Sequence, residues 1–429
     1  MKKVTNNRYL KCVLPLLLVA LLVSAASAAP IGLDPGKWAP ATYQRLAAFV
    51  EANGSGGPNY DPAKPPYVVF DWDQTCIFND TEEALFRYKI ETLNFKMTPE
   101  VFAEAIRKDI PKDNFSDDYK NADGKTVNID LIGADLDAAY TFLYKNYEGF
   151  GAGGKMTLAE ARATEEFIDF RAKLAWLYEA IGGTFSADVS YPWVLYLFSG
   201  MTADEVKALA EKSNDAALAD KLETYTLSSS KTLQSKAGYI SMGGYKRGLR
   251  TVPEMSNLMN VLRSHGIHVY VCTASLDNVV RVFSNLPKYG YNVPEENVLG
   301  MRVAMEDGKY VPRYDDTWVQ TQQAGKTEAI KRELVSKYGY GPIAVFGDSQ
   351  GDYKMCVDFE ETQVVLVVNR LRKDDFGKLG LQAMETHGKP DAKFILQGRD
   401  ENIGAFRPDE KTIKYGKTEP ELFHSSLVK

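Results

Sequence analysis

The sequence predicts an α/β protein in which a doubly wound parallel sheet carries an inserted, mostly α-helical region. Two observations predict this fold. Short apolar runs alternate with segments of helical spacing after Arg250, and a similar run lies near the N-terminus at residues 67–70. Between these regions, helical spacing dominates for about 160 residues and strand-like runs are scarce. We therefore assign residues 29–84 and 245–429 to a discontinuous core, and residues 85–244, called the helical insertion below, to a second domain.

The first 28 residues have the three parts of a secretory signal peptide. The segment begins with four basic residues, continues with an apolar stretch at residues 13–23, and ends in Ala26-Ser27-Ala28. The apolar stretch of about 11 residues is shorter than the roughly 20 that a membrane-spanning helix needs. We expect cleavage after Ala28 and an exported protein, periplasmic or secreted, without a stable membrane span.

Net charge limits the class of partner. The chain of 429 residues carries a formal charge of -6, and loss of the four basic residues of the signal peptide takes it to -10. Such an acidic protein binds nucleic acid or an anionic membrane poorly without a specific site, so we expect a small-molecule partner and no nucleic acid. Outside the signal peptide the cysteines are Cys76, Cys272 and Cys356. We interpret them as buried core residues, with a Cys76–Cys272 bridge left open. The sequence does not determine the oligomeric state.

The individual elements follow from apolar spacing. Helices are predicted at residues 40–51, 254–265, 275–286 and 324–338, and strands at residues 67–70, 267–272, 343–346 and 362–368. A hairpin is predicted around Asp307-Gly308, a dipeptide typical of tight turns.

Polar residues follow three of the predicted strands, where doubly wound sheets bind their ligands. They are Asp71 and Asp73 after the first strand, Thr273 after the second, and Asp348 and Asp352 after the third. Lys326 begins the helix that leads into the third strand. The carboxylates of Asp71, Asp73 and Asp348 form an oxygen-lined site suited to Mg²⁺. Thr273 and Lys326 suit a phosphate oxygen, and two neighbouring carboxylates can divide nucleophilic attack from proton transfer.

Other interpretations fit less well. In an EF-hand loop starting at Asp71, Thr75 and Cys76 occupy positions that require Asp or Asn and then Gly. Residues 149–156 approach a phosphate-binding loop, but Met156 stands where Ser or Thr is required. Lys331 is an alternative to Lys326 as the phosphate-binding lysine.

The four motifs, DWDQT at residues 71–75, the strand ending in Thr273, Lys326, and GDSQGD at residues 347–352, resemble the pattern of haloacid dehalogenase superfamily phosphatases. The resemblance implies a Rossmann-like core with the helical insertion as a cap. It further implies that Asp71 is the nucleophile, forming an aspartyl-phosphate, and that Asp73 is the general acid/base and a magnesium ligand through its carbonyl group. Asp348 would bind Mg²⁺, Asp352 would support the metal or Lys326, and Thr273 and Lys326 would hold the phosphate.

The substrate is expected to be a small phosphorylated metabolite. Export, the DWDQT form and the LQGRDEN segment at residues 396–402 resemble the exported branch of the superfamily that acts on phosphorylcholine. Trp72 either packs beneath the site or forms an aromatic wall for a cationic substrate. A dehalogenase, which generally lacks the second aspartate, a phosphotransferase to an alcohol and a non-catalytic binding protein are the alternatives.

Overall fold

The structure, a computed structural model, describes residues 31–423. The predicted signal peptide lies outside the described residues. No helix within residues 31–423 combines the length and the apolar character that crossing a bilayer requires.

A six-stranded parallel sheet forms the centre of the core. Its strands are β1 (Tyr67–Phe70), β2 (His268–Leu276), β3 (Val298–Met301), β4 (Ala344–Gly347), β5 (Val364–Val368) and β6 (Phe394–Gln397). They are arranged in the order β6-β5-β4-β1-β2-β3, and each neighbouring pair is parallel. The strand order reverses between β1 and β4, and this is the switch point at which such sheets bind ligands. The predicted fold class is thus confirmed.

Both faces of the sheet are buried, which explains why its strands read as continuous apolar runs. Alternate residues of β1 belong to two hydrophobic clusters, with Val68 and Phe70 on one face and Tyr67 and Val69 on the other. One face is covered by helices Pro40–Asn53, Pro253–Ser264 and Asp277–Asn285. The other is covered by helices Ala324–Ile330, Tyr353–Val357 and Asp375–Glu385.

The helical insertion leaves the core after β1 and returns before β2. Its described helices are Thr81–Thr92, Pro99–Ala105, Ile129–Asn146, Leu158–Arg162, Glu165–Thr184, Ala187–Tyr196 and Ala203–Ala219. A hairpin of Glu223–Ser228 and Ser241–Arg247 follows, and a short antiparallel ribbon of Ile77–Phe78 and Arg250–Thr251 joins the two crossing points. Because Thr81–Thr92 and Ser241–Arg247 run across residues 84/85 and 244/245, the exact domain boundaries stay a prediction.

Several predicted elements differ in detail. The predicted helix at residues 275–286 begins at Asp277, because β2 continues through Leu276. The strand β6 was missed, since the sequence after residue 390 shows only a short apolar run. The hairpin is confirmed as Val303–Glu306 with Lys309–Tyr314, and both turn residues have positive φ angles, 49° at Asp307 and 76° at Gly308. The three described cysteines, Cys76, Cys272 and Cys356, are buried and unpaired, so no Cys76–Cys272 bridge forms.

Candidate active site

The catalytic candidates meet at the carboxyl ends of β1, β2 and β4. Asp71 follows β1 directly, and its backbone N–H donates to the Phe346 carbonyl of β4 at 2.9 Å, which fixes the start of the loop. Asp348 follows β4. The Thr75 hydroxyl lies 2.9 Å from Asp71 Oδ2 and 3.1 Å from Asp348 Oδ1, so it holds the two carboxylates together. The side chains of both aspartates are nearly inaccessible to solvent.

Lys326 is the counter-ion at the centre of this group. Its Nζ donates to Asp71 Oδ1 at 2.5 Å and to Asp352 Oδ1 at 2.7 Å, and only 2% of the residue is exposed. Burial alone would lower the pKa of Lys326, but Asp352 and Asp71 outweigh it and raise that pKa well above its usual value. The lysine is therefore charged at neutral pH. The alternative, Lys331, is exposed and lies outside the cavity lining.

Asp352 stabilises the loop that carries Asp348 through hydrogen bonds to its backbone. Its Oδ2 accepts the backbone N–H groups of Asp348 at 2.9 Å and Ser349 at 3.1 Å, while Oδ1 binds Lys326. Gly347 has to be small here, because a Cβ atom at that position would come within 2.7 Å of the Asp352 side chain. The predicted support of Lys326 by Asp352 is thus present in the structure.

Three carboxylates, those of Asp71, Asp348 and Asp352, offer oxygens that all lie within 4.8 Å of one another. This set of hard oxygen donors fits Mg²⁺. The cluster includes Asp352, which was predicted to support the metal or Lys326, and it does not include the carboxylate of Asp73. The backbone carbonyl group of Asp73 as a metal ligand stays a prediction. Arg370, which sequence reasoning missed, follows β5 and donates to Asp348 Oδ2. It lowers the pKa of Asp348 against the effect of burial, which would raise it.

Asp73 faces the other side of the cavity. Its Oδ1 accepts both the backbone N–H and the hydroxyl of Thr81, each at 2.7 Å, and its Oδ2 accepts the Ser275 hydroxyl at 2.7 Å. Burial raises the pKa of Asp73, although these hydrogen bonds oppose the shift. A carboxyl group that keeps its proton more easily than usual suits a general acid. Sequence reasoning missed Thr81, and it assigned Ser275 to the start of a helix.

Thr273 lies in β2, is 1% exposed and lines the same cavity. The Thr273 carbonyl accepts the Thr321 hydroxyl at 2.6 Å, and its own hydroxyl oxygen accepts the Ser275 N–H at 3.1 Å. Within residues 31–423 no acceptor takes the Thr273 hydroxyl hydrogen, which leaves it available to a ligand oxygen.

Trp72 does not reach the cavity, and its interpretation as an aromatic wall is wrong. The ring is fully buried and lies edge-on to Phe283 and Tyr291, with centroid distances of 5.7 and 4.9 Å. Its Nε1 donates to the Thr81 hydroxyl at 3.0 Å. The N–H of Cys76 donates to the Trp72 carbonyl at 2.8 Å in the tight turn after β1, and this turn directs the ring into the core. Trp72 therefore positions Thr81, which in turn holds Asp73.

The cavity measures about 360 Å³, and we divide its lining into two ends according to the elements that supply the residues. The strand end comprises the carboxylates that follow the strands, Thr273 and Lys326. The other end comprises acidic and aromatic residues from the start of helix Thr81–Thr92 and from the helical insertion: Asp80, Glu83, Tyr178 and Tyr191. Lys246 also lines this end. Within residues 31–423, neither Asp80 nor Glu83 forms an ion pair. Burial, together with the neighbouring Asp73 and Glu83, raises the pKa of Asp80 well above its usual value. Burial, Glu83 and Asp80 also raise the pKa of Tyr178.

Comparisons with known proteins agree with this geometry. Residues 156–356 match the haloacid dehalogenase-like hydrolase family. A crystal structure of a functionally unknown protein from Anaerococcus prevotii is 32% identical, with a TM-score of 0.84, and the match covers 90% of this chain and 99% of that one. The chain belongs to the haloacid dehalogenase superfamily. It is also 25% identical over 386 residues to the phosphorylcholine phosphatase of Pseudomonas aeruginosa, covering 83% of this chain and 87% of the relative. The chain is thus a phosphatase of this superfamily.

Proposed function

We propose that the protein is an exported, magnesium-dependent phosphomonoester hydrolase that works through an aspartyl-phosphate, and that its substrate carries a cationic group, as phosphorylcholine does. The observation that supports the proposal is the chemistry of the cavity lining. It combines three clustered carboxylates and a buried lysine with two tyrosines and with two carboxylates, Asp80 and Glu83, that form no ion pair within residues 31–423.

The reaction requires an anionic phosphoryl group to approach the Asp71 carboxylate. Lys326 and the Thr273 hydroxyl bind phosphoryl oxygens and orient the phosphorus toward Asp71. Asp71, Asp348 and Asp352 would hold magnesium, which when bound would supply neutralisation of negative charge at this end of the cavity. Arg370, already in contact with Asp348, adds a further positive charge at this end.

Two displacements then complete the turnover. In the first, an Asp71 oxygen forms a bond to phosphorus, the bond from phosphorus to the ester oxygen breaks, and Asp73 donates its proton to the leaving alcohol. In the second, water attacks phosphorus, Asp73 takes a proton from that water, and the bond to Asp71 breaks to release phosphate. The hydrogen bonds from Thr81 and Ser275 keep the Asp73 carboxyl oriented in both steps.

The acidic and aromatic end supports a cationic alcohol group. A cation against an aromatic face contributes about 0.5–2 kcal/mol, and Asp80 and Glu83 lack a positive partner among the described residues. The cavity size suits a ligand of a few tens of atoms at most. The phosphorylcholine phosphatase activity of the Pseudomonas aeruginosa relative supports the same substrate class. On this proposal the helical insertion acts as a substrate-selecting cap.

The decisive test compares phosphorylcholine with 3,3-dimethylbutyl phosphate, in which carbon replaces the quaternary nitrogen at equal size. With Mg²⁺ present, we expect kcat/KM to be about tenfold or more higher for phosphorylcholine, because only the charge differs. Glu83→Gln and Asp80→Asn should reduce this preference, and asparagine can still cap the helix that Asp80 begins. Glu179→Gln, at an exposed residue outside this cavity, is the matched control. Equal efficiency with both substrates would contradict the proposed cationic substrate but leave the phosphatase chemistry intact.

Export is tested by sequencing the N-terminus of the protein from the extracytoplasmic fraction of its host. We propose that the mature chain begins at Ala29, after the small residues that end the basic and apolar segment. Recovery of the chain only in the cytoplasm, with residues 1–28 retained, would contradict export.

A further inference from the structure

A second cavity lies beside the helical insertion, and none of the catalytic residues lines it. It measures about 290 Å³ and lies among helices Thr81–Thr92, Glu165–Thr184 and Ala203–Ala219 and the hairpin that follows them. We call it the arginine cavity, because four arginines line it: Arg87, Arg162, Arg171 and Arg247.

The charge of this lining is opposite to that of the whole protein. The only acidic residues in the lining are Glu91 and Asp220, so the four arginines leave a formal charge of +2, in a chain whose total is -6. Arg162 and Arg171 share Glu91, at 2.9 Å and 3.4 Å. Arg247 pairs with Asp220 at 3.7 Å and with Glu223, which lies just outside the lining, so Arg87 is the main source of the unbalanced positive charge. Arg87 forms no ion pair with any residue that the structure describes and donates instead to the Lys246 carbonyl. A cavity with an excess of fixed positive charge attracts anions.

Hydrogen bonding gives a second, independent indication of a ligand. Three lining residues carry a buried donor atom that forms no hydrogen bond within residues 31–423: Arg171 Nε, Ser213 Oγ and Arg247 Nε, the last of which lies 3.7 Å from Asp220 Oδ1. Ser213 is 1% exposed, so bulk water does not satisfy its hydroxyl. Buried donors in native proteins are nearly always paired. Because these atoms are shielded from solvent, a ligand reaches them once the side chains turn toward the cavity, and its acceptor oxygens would then supply the missing partners.

We propose that the arginine cavity binds a small, doubly charged tetrahedral oxyanion of the phosphate or sulfate type. Guanidinium groups match the oxygens of such anions in pairs, and the Ser213 hydroxyl adds one neutral donor. The site is separate from the catalytic phosphate site, since the two cavities share no lining residue. It is nevertheless connected to it, because Arg87 and Glu91 lie on the helix whose first residue, Thr81, holds Asp73. The proposal does not depend on the identity of the substrate.

The test measures thermal unfolding of the full protein while inorganic phosphate or sulfate is titrated at constant ionic strength, with sodium chloride as the reference salt. We expect a saturable rise in Tm for the wild type. In Ser213→Ala and Arg171→Gln, the same rise should require at least about a tenfold higher anion concentration, because a hydrogen bond to a charged group is lost. Without the anion, Ser213→Ala should melt no lower than the wild type, since its hydroxyl has no partner to lose.

Arg107→Gln is the matched control, because Arg107 pairs with Asp137 at 2.6 Å in the same helical region but lies outside the cavity. It should keep the wild-type response to anions. Inhibition of catalysis by phosphate should have the same inhibition constant in Ser213→Ala as in the wild type, which separates the two phosphate sites.

A response to phosphate alone assigns the site to phosphate, and a response to both anions assigns it to tetrahedral oxyanions in general. Equal anion sensitivity of Ser213→Ala and the wild type would overturn the proposal. So would a wild type that responds to neither anion more than to chloride. Should Arg171→Gln fail to fold, Ser213→Ala decides the question alone.

Discussion

Replacement of Lys326 by methionine tests how the catalytic carboxylates are held together. Lys326 Nζ contacts Asp71 at 2.5 Å and Asp352 at 2.7 Å, and the residue is 2% exposed. Methionine keeps most of the aliphatic length but removes the charge. Arg370 would then still contact Asp348, one of the three carboxylates whose oxygens lie within 4.8 Å of one another. We expect loss of both stability and turnover.

The size of the stability loss follows from the electrostatics. Two unit charges 4.8 Å apart interact by roughly 3.5 kcal/mol at an effective dielectric constant of 20. Removal of one partner from a buried ion pair costs about 3–5 kcal/mol. We therefore expect Lys326→Met to lower the free energy of unfolding by about 3–5 kcal/mol at pH 8 in EDTA.

The loss should shrink as the pH falls. Burial and the neighbouring Asp352 already raise the pKa of Asp71, while Lys326 lowers it. Without the lysine this pKa rises further, so the folded variant takes up a proton at a higher pH than the wild type does. A protonated carboxyl group no longer needs a cation. The variant therefore recovers stability relative to the wild type on acidification.

Urea denaturation at pH 8 and pH 5, with EDTA or with Mg²⁺, measures these changes. Lys331→Met, at an exposed position in the same helical segment, should change stability by less than about 0.5 kcal/mol. The double variant Lys326→Met/Asp352→Asn should regain part of the lost stability but no activity, because one repelling charge is gone. A loss below about 1 kcal/mol at pH 8, or a loss that does not change with pH, would refute the role assigned to Lys326.

Two further predictions concern Asp73 and a buried lysine of the helical insertion. Asp73→Asn should lower kcat by about 10²–10⁴ or more, because asparagine cannot transfer the proton. A circular-dichroism melt should still show a folded protein, because asparagine can accept the hydrogen bonds from Thr81. Unfolding of the variant in magnesium-free buffer would contradict this prediction. Burial lowers the pKa of Lys89 to about 7, although Glu82 acts in the opposite direction. Below that pH the buried Lys89 is charged and lowers the free energy of unfolding, and above it Lys89 loses its proton and this cost falls. Relative to Lys89→Met, the wild type should therefore gain stability from about pH 7 toward pH 10 in urea denaturation, whereas Lys96→Met, at an exposed site, should show no such trend.

The fold and the strand-end residues could be predicted because they depend on local sequence. A strand buried on both faces reads as an uninterrupted apolar run, as Tyr67–Phe70 does, and its carboxyl end is then a fixed place in the sheet. The prediction required Asp71, Asp348, Thr273 and Lys326 to lie close together, and all four line the same cavity. In contrast, β6 lies at the sheet edge and has only three consecutive apolar residues, 394–396, between Lys393 and Gln397, so its pattern carries little signal.

What the sequence could not show depends on contacts between distant residues. Ser275 binds Asp73 across 202 positions of the chain, and its place in a strand rather than a helix follows from pairing with β3. Trp72 seemed free to face a substrate because its neighbours are catalytic. Its direction is set by a turn that places the ring against Phe283 and Tyr291, which come from a helix and a loop more than 200 residues later. The acidic and aromatic lining of the cavity likewise combines Asp80 and Glu83 with Tyr178 and Tyr191, which come about 100 residues later in the chain.

The most direct test of the central claim is a crystal structure of the wild type with Mg²⁺ and beryllium fluoride, which mimics a phosphoryl group on a carboxylate. The proposed mechanism predicts BeF₃⁻ bonded to a carboxylate oxygen of Asp71, with its fluorine atoms contacting Lys326 and Thr273 and with the ion held by Asp348. Asp71→Asn should not bind it in this way. Beryllium fluoride bonded to Asp73 or to another residue, with the Asp71 carboxylate unmodified, would contradict the assignment of Asp71 as the nucleophile.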